Sequence, residues 1–157
     1  MRISYAITVC TEFLEIQRLI NFLLKHKRAQ DDIVVLFDEA NGDKEIEAYL
    51  RSHPVNGEFM WHAGKFERHF ANWKNKLTNH CTGDYIFQID ADEIPTKTLI
   101  EYLPDIIEGN PTVDVLLVPI CIIFITYRNN CFVFLACRLF LDGIEQSTLH
   151  LGAWCMF

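Results

Sequence analysis

The stretch Gln88-Ile89-Asp90-Ala91-Asp92-Glu93-Ile94-Pro95 sets three carboxylates, Asp90, Asp92 and Glu93, within four residues, directly behind the apolar run Tyr85-Ile86-Phe87. Asp90 and Asp92 are two apart, so on extended backbone they point the same way. Where the chain leaves a strand, such a pair can offer oxygens to one divalent cation, and hard oxygen ligands suit Mg²⁺ or Mn²⁺. Two protein ligands leave coordination positions for phosphate oxygens, and the ion would stabilise a diphosphate as a leaving group. The competing reading is a solvated loop whose acids favour the N-terminus of the next helix. Glu93 fits either reading.

These residues need elements to position them. Residues 3–9 (ISYAITV) are apolar and β-branched enough for a buried strand. From Glu12 the period becomes helical, with Ile16, Leu19, Ile20, Leu23 and Leu24 on one face. IVVLF is a second buried strand ending at Asp38, followed by the turn ANGD and a short helix that Asp43 can cap. EFMWH is a third strand. A helix is expected over 66–80, with Phe66, Phe70, Trp73 and Leu77 on one stripe assigned to the core. YIFQI is the next strand, and Thr96 caps a further helix that Pro104 could kink or end early. VDVLLVP adds another strand.

Strand and helix alternating at this spacing predict an α/β fold, a mostly parallel Rossmann-like sheet with helices on both faces. Ligands in such sheets bind beyond the C-terminal strand ends. Glu12, Asp38 and the pair Asp90/Asp92 all fall at such ends and would share one edge. Asp38 could accept hydrogen bonds from a base or ribose, or cap the ANGD turn. Lys74 could reach a phosphate, or sit on a solvated helix face.

A net charge of −7 over 157 residues argues against a nucleic-acid binder, which needs a basic face. The first ten residues, MRISYAITVC, read as a strand and not a secretory signal. The six cysteines include no Cys-x-x-Cys pair, so zinc is not expected, and reduced thiols in the cytoplasm are the default. Residues 1–119 are assigned to the core. Residues 120–157 are denser in Cys, Phe, Ile and Leu, and four of the six cysteines lie there. Their apolar stretches fall short of the ~20 residues that span a bilayer. Two buried strands joined at Arg128-Asn129-Asn130, a membrane-peripheral hairpin and an incomplete C-terminal region all remain open for this segment.

In order and spacing, ISYAITVCTE, IVVLFDEANGD and FANWKNKLTNHCTGDYIFQIDADE resemble the nucleotide-sugar-binding part of a family 2 glycosyltransferase of the GT-A fold, over about residues 1–119. The resemblance implies an inverting, metal-dependent (Mn²⁺ or Mg²⁺) transfer of a sugar from a nucleoside diphosphate to a hydroxyl acceptor, glycan, lipid-linked or other. It implies Thr8 and Cys10 beside the donor's base, Asp38 hydrogen-bonded to it and Lys74 near the nucleotide. It further implies Asp90 at ribose or metal and Asp92 as metal ligand. The family's Pro-Thr-Tyr-Asn at the first turn is here Thr8-Val9-Cys10-Thr11, and its Arg is Lys74. The downstream acids are Asp114, Asp142 and Glu145, and none is assigned as catalytic base. A nucleotide-sugar-binding module without transfer, and a membrane-peripheral interaction protein using the apolar tail, are the alternatives.

Overall fold

The apolar residues of the strands fall into two alternating sets, and each set meets its own helices. The computed structural model describes residues 1–53, 59–112, 115–117 and 138–141. In chain order its elements are β1 (Ile3–Val9), α1 (Phe13–His26), β2 (Asp32–Asp38), α2 (Lys44–Ser52), β3 (Met60–Gly64), α3 (Phe70–Thr78), β4 (Tyr85–Asp90), α4 (Lys97–Glu108), β5 (Val115–Leu117) and β6 (Arg138–Leu141). One sheet runs in the order β3-β2-β1-β4-β6-β5. Strands β1 to β4 are parallel. β6 is antiparallel to both β4 and β5.

Because strand side chains alternate with period two, Tyr5, Ile7, Val35, Phe37, Phe87 and Ile89 face one way. They pack on Ile16, Leu19, Ile20 and Leu23 of α1, Ile46 and Leu50 of α2, and Ile100, Leu103 and Ile107 of α4. The intervening Ala6, Val34, Leu36 and Ile86 face the other way, against Trp73 and Leu77 of α3. The sheet is therefore covered on both faces, which is why its strands read as unbroken apolar runs. This is the α/β arrangement expected from the sequence.

Gly83 brings β4 against β1 at close range. A Cβ there would lie 2.7 Å from the Ser4 backbone nitrogen. The buried Ser4 hydroxyl accepts from Gly83 N–H at 2.8 Å and from Thr82 N–H at 3.3 Å. This junction fixes the register Ile3↔Tyr85 through Thr8↔Asp90.

Several boundaries differ from the sequence expectations. β3 is Met60–Gly64, displaced toward the C-terminus from EFMWH. α3 begins at Phe70 and not Phe66, because Arg68 has φ 60°, a left-handed conformation no α-helix accommodates. His69 then caps the helix, its Nδ1 accepting from Asn72 N–H. Asp43 holds the N-cap position of α2 without a side-chain cap bond; its N–H donates to the Cys10 carbonyl at 3.0 Å. Leu24 is only half-buried. α4 runs through Pro104 to Glu108, and Thr96 caps it by accepting from Leu99 N–H at 3.1 Å. Only 115–117 of the strand expected at 113–119 lies among the described residues. The turn at Arg128-Asn129-Asn130 lies outside them, whereas β6 joins the sheet beside β4.

Candidate functional site

The chain passes from β1 out to β2 and β3, then returns to place β4 on the other side of β1. The connections after β1 and β4 therefore leave in opposite directions, which opens a crevice at the C-terminal strand ends. A cleft of about 340 Å³ lies there. It is lined by the polar residues Thr8, Cys10, Glu12, Asp38, Lys74, Asp90 and Asp92 and by the aromatic Phe66, Phe70 and Trp73.

Register builds the charged part of the lining. Thr8 pairs with Asp90 across β1 and β4. Thr8 Oγ1 donates to Asp90 Oδ1 at 2.8 Å. The Lys74 ammonium reaches from α3 on the opposite sheet face to ion-pair with Asp90, and also donates to Thr8 Oγ1 at 3.1 Å. Lys74 thus leans into the cleft and does not lie on a solvated face. Asp92, two residues on, is exposed. Its carboxyl is pushed upward by partial desolvation and then by the negative charges of Asp90, Glu12 and Glu15. Glu12 itself accepts from the N–H groups of Cys10 and Thr11, each at 2.9 Å, and so braces the turn after β1.

Glu93 is almost fully buried, 7% exposed. Its carboxylate turns back to accept from Asp90 N–H at 3.0 Å, while its own N–H donates to the Asp90 carbonyl at 2.9 Å. Burial, reinforced by the charges of Asp90 and Asp92, raises its carboxyl to about 7, against the pull of the Asp90 N–H and Lys74. Glu93 therefore shapes the turn that presents Asp90 and Asp92. Among the described residues no cluster of three or more His, Cys, Asp or Glu side chains forms a metal cage. The oxygen-only pair Asp90/Asp92, with negative neighbours raising Asp92, has the donor chemistry for a hard cation completed by ligand oxygens.

Asp38 organises another part of the lining. It is 4% exposed. Oδ1 accepts from Ala40 N–H at 3.0 Å and Phe66 N–H at 3.2 Å; Oδ2 accepts from the Asn41 side chain at 2.8 Å, with the Cys10 thiol at 4.0 Å. Burial alone would raise its carboxyl, but these hydrogen bonds from Asn41, Ala40 and Phe66 hold it below the usual range. Cys10 is pushed upward by burial and by Asp38, Glu12 and Asp43, so its thiol stays protonated. Gly42 closes the same turn, where a Cβ would meet the Asp38 carbonyl at 2.4 Å.

Thr8, Cys10, Asp38, Lys74, Asp90 and Asp92, dispersed over 85 positions of sequence from 8 to 92, all line this one cleft. The aromatic stripe behaves differently from the sequence expectation. Trp73 and Leu77 are core, but Phe66 lies outside α3 and Phe70 is 62% exposed at the cleft wall. Sequence reasoning missed this because the i, i+4 spacing of Phe66 and Phe70 suits a helix that the Arg68 backbone interrupts. His69 is outside the residue types that mark an N-cap. Asp114, Asp142 and Glu145 lie outside the described residues.

No curated protein matches the sequence. Among solved structures, the chain is similar to S. aureus TarS 1-349, with 17% identity and a TM-score of 0.60 over 74% of this chain and 35% of that one. The same TarS 1-349 in complex with UDP-GlcNAc gives a TM-score of 0.57, also at 17% identity, over 74% of this chain and 34% of that one. A CMP:2-keto-3-deoxy-manno-octonic acid synthetase complexed with CTP gives 0.52 at 13% identity, over 74% of this chain and 50% of that one. These likenesses show a shared Rossmann-like fold of the GT-A kind, and the chain spans about a third of the TarS length it resembles. The family model for glycosyl transferase family 2 matches residues 4–130, from the start of β1 past the Asp90–Asp92 turn. The chain belongs to glycosyl transferase family 2.

Proposed function

We propose that this chain is the donor-binding part of a metal-dependent, inverting glycosyltransferase, with a nucleoside-diphosphate sugar held across the cleft. The observation that carries the reading is the meeting of Asp90, Asp92, Thr8 and Lys74 with Asp38 at the ends of three parallel strands. Asp92, with Asp90, would hold Mg²⁺ or Mn²⁺; when bound, the ion neutralises the diphosphate and stabilises it as a leaving group. Lys74 adds a second positive charge beside the phosphates, as a point charge without the fork of an arginine. Cys10 and Asp38 would lie toward the nucleoside, and Thr8, bonded to Asp90 and Lys74, would stand between it and the phosphates. The acceptor would be a glycan, a lipid-linked sugar or another hydroxyl compound. Its hydroxyl attacks the anomeric carbon as the bond to the diphosphate breaks, and a carboxylate general base takes the hydroxyl proton. Uridine nucleotides are the first probes, because the similar TarS structure was solved with UDP-GlcNAc.

Titration with UDP- and GDP-sugars, with and without Mn²⁺, tests this reading. Binding that needs the cation and is lost in Asp92→Asn supports it. Cation-independent binding, or indifference to Asp92→Asn, contradicts it. A second reading, donor binding without transfer, would use the same cleft and the same residues. Transfer to any member of an acceptor panel eliminates that second reading. A cytoplasmic site of action is proposed, with the apolar segment 120–157 as the surface for any peripheral membrane contact. Among the described residues no helix is long and apolar enough to cross a membrane. Flotation with liposomes tests the peripheral contact, and a protein that stays wholly in the unbound fraction counts against it.

A further inference from the structure

We infer that Phe66 and Phe70 form the wall on which the donor's nucleobase stacks. This rests on the nucleoside-diphosphate reading of the cleft and adds the residues that recognise the base. The cleft lining has two chemically different groups: Asp90, Asp92 and Lys74 carry charge, and Phe66, Phe70 and Trp73 are aromatic. A ligand that satisfies both has a charged end and a flat apolar end, as a nucleoside diphosphate does.

The aromatic group is built outward from the core. Trp73 is 7% exposed and packs on the sheet with Leu77. Phe66 and Trp73 meet in a T-shaped arrangement, with ring centroids 6.0 Å apart and planes at 71°. Phe70 lies 4.8 Å from Phe66, tilted by 52°, and is 62% exposed. A large apolar ring left open in a cleft, braced by Phe66, which in turn rests on Trp73, is a surface waiting for a partner. Its backbone is fixed as well. Phe66 N–H is tied to Asp38, Arg68 turns the chain in the left-handed region, and His69 caps α3 so that Phe70 opens the helix at the cleft mouth. The turn after β1 offers no ring for the purpose, since Cys10 stands there with a small side chain. Asp38 is then a positioning residue for the wall: its carboxylate holds the Phe66 backbone and the turn through Asn41.

Stacking uses the face that every base has, so it tolerates base identity. The test is calorimetric titration of the full chain with UDP, GDP and inorganic pyrophosphate in the presence of Mn²⁺. Wild type, Phe70→Ala and Phe70→Trp are compared. The wall predicts that Phe70→Ala weakens UDP and GDP alike, by roughly tenfold, the order seen when a stacking ring is removed. It also predicts that pyrophosphate binding stays unchanged and that Phe70→Trp restores the nucleotides. Equal UDP affinity in wild type and Phe70→Ala overturns the wall while leaving nucleotide binding intact. So does a parallel loss of pyrophosphate, which would mark a general collapse of the cleft. A wild type that binds pyrophosphate but no nucleotide, or neither, removes the underlying reading and the wall with it.

Discussion

Asp38 spends its charge on its own chain. Four donors from the ANGD turn, the Phe66 backbone and Cys10 converge on one carboxylate that is 4% exposed. A carboxylate has about four lone-pair sites, so this one is nearly filled. Its depressed titration makes a definite pH prediction. A depressed carboxyl stabilises the fold above its unfolded value, 3.8, and that contribution is lost as pH falls through the still lower folded value. Asp38→Asn should therefore cost about 1–3 kcal/mol at pH 7, and the gap to wild type should narrow below about pH 4. Urea denaturation at a series of pH values measures this; a gap that is constant or widens in acid contradicts it. Lys74 gives a second residue-scale prediction. Lys74→Met removes the charge that meets Asp90, so Mn²⁺ affinity without nucleotide should rise several-fold while UDP affinity with Mn²⁺ falls by about tenfold. Opposite signs in the two titrations are the signature, and a fall in both contradicts it. The carboxylates were legible in the sequence because strand ends announce themselves by polar residues after apolar runs, whereas Thr8, inside the run of β1, came only with the family resemblance and Lys74, on α3, fitted a solvated helix face as well as a phosphate contact. Glu93's inward turn was not legible, since the same Asp-Ala-Asp-Glu string fits a solvated helix start equally well.

The elements were legible wherever burial sets the period. β1, β2 and β4, covered on both faces, show as apolar runs, and α1 and α4 show as three- and four-residue stripes. The boundary of α3 was not legible, because one backbone conformation at Arg68 decides it. β3 slipped by two residues for a related reason: its side chains are half-buried at best until Gly64, so little apolar signal fixes its frame. The β1–β4 junction makes the element-scale prediction. Gly83→Ala puts a methyl 2.7 Å from the Ser4 backbone nitrogen and 2.8 Å from the Ser4 hydroxyl that binds Gly83 N–H. Backbone cannot retreat as a flexible side chain can, so a loss of about 1–3 kcal/mol is expected, read as a lower melting temperature. A melting temperature equal to wild type would mean that the two strands are not held as closely as described. Since the register carries Thr8 to Asp90, nucleotide binding should weaken in the same variant.

At the scale of the molecule, a chain of net charge −7 collects further carboxylates around the cleft that it offers to an anionic ligand. Lys74 supplies one positive charge at that edge, fewer than a diphosphate carries negative ones, so the balance of charge calls for a cation. The parallel core was readable from strand–helix alternation, whereas the place of β6 beside β4 was not, because residues 120–157 carry an apolar composition without a period. On the proposed function, one cation and one diphosphate share the Asp90–Asp92 edge. Electron paramagnetic resonance of Mn²⁺ tests it most directly, because the six-line signal of the hydrated ion fades when the ion is held by protein. Adding the chain to Mn²⁺ and UDP should remove signal well beyond the sum of what UDP alone and protein alone remove, and Asp92→Asn should abolish that excess. Signal loss that is merely additive, or that survives Asp92→Asn, would contradict the account.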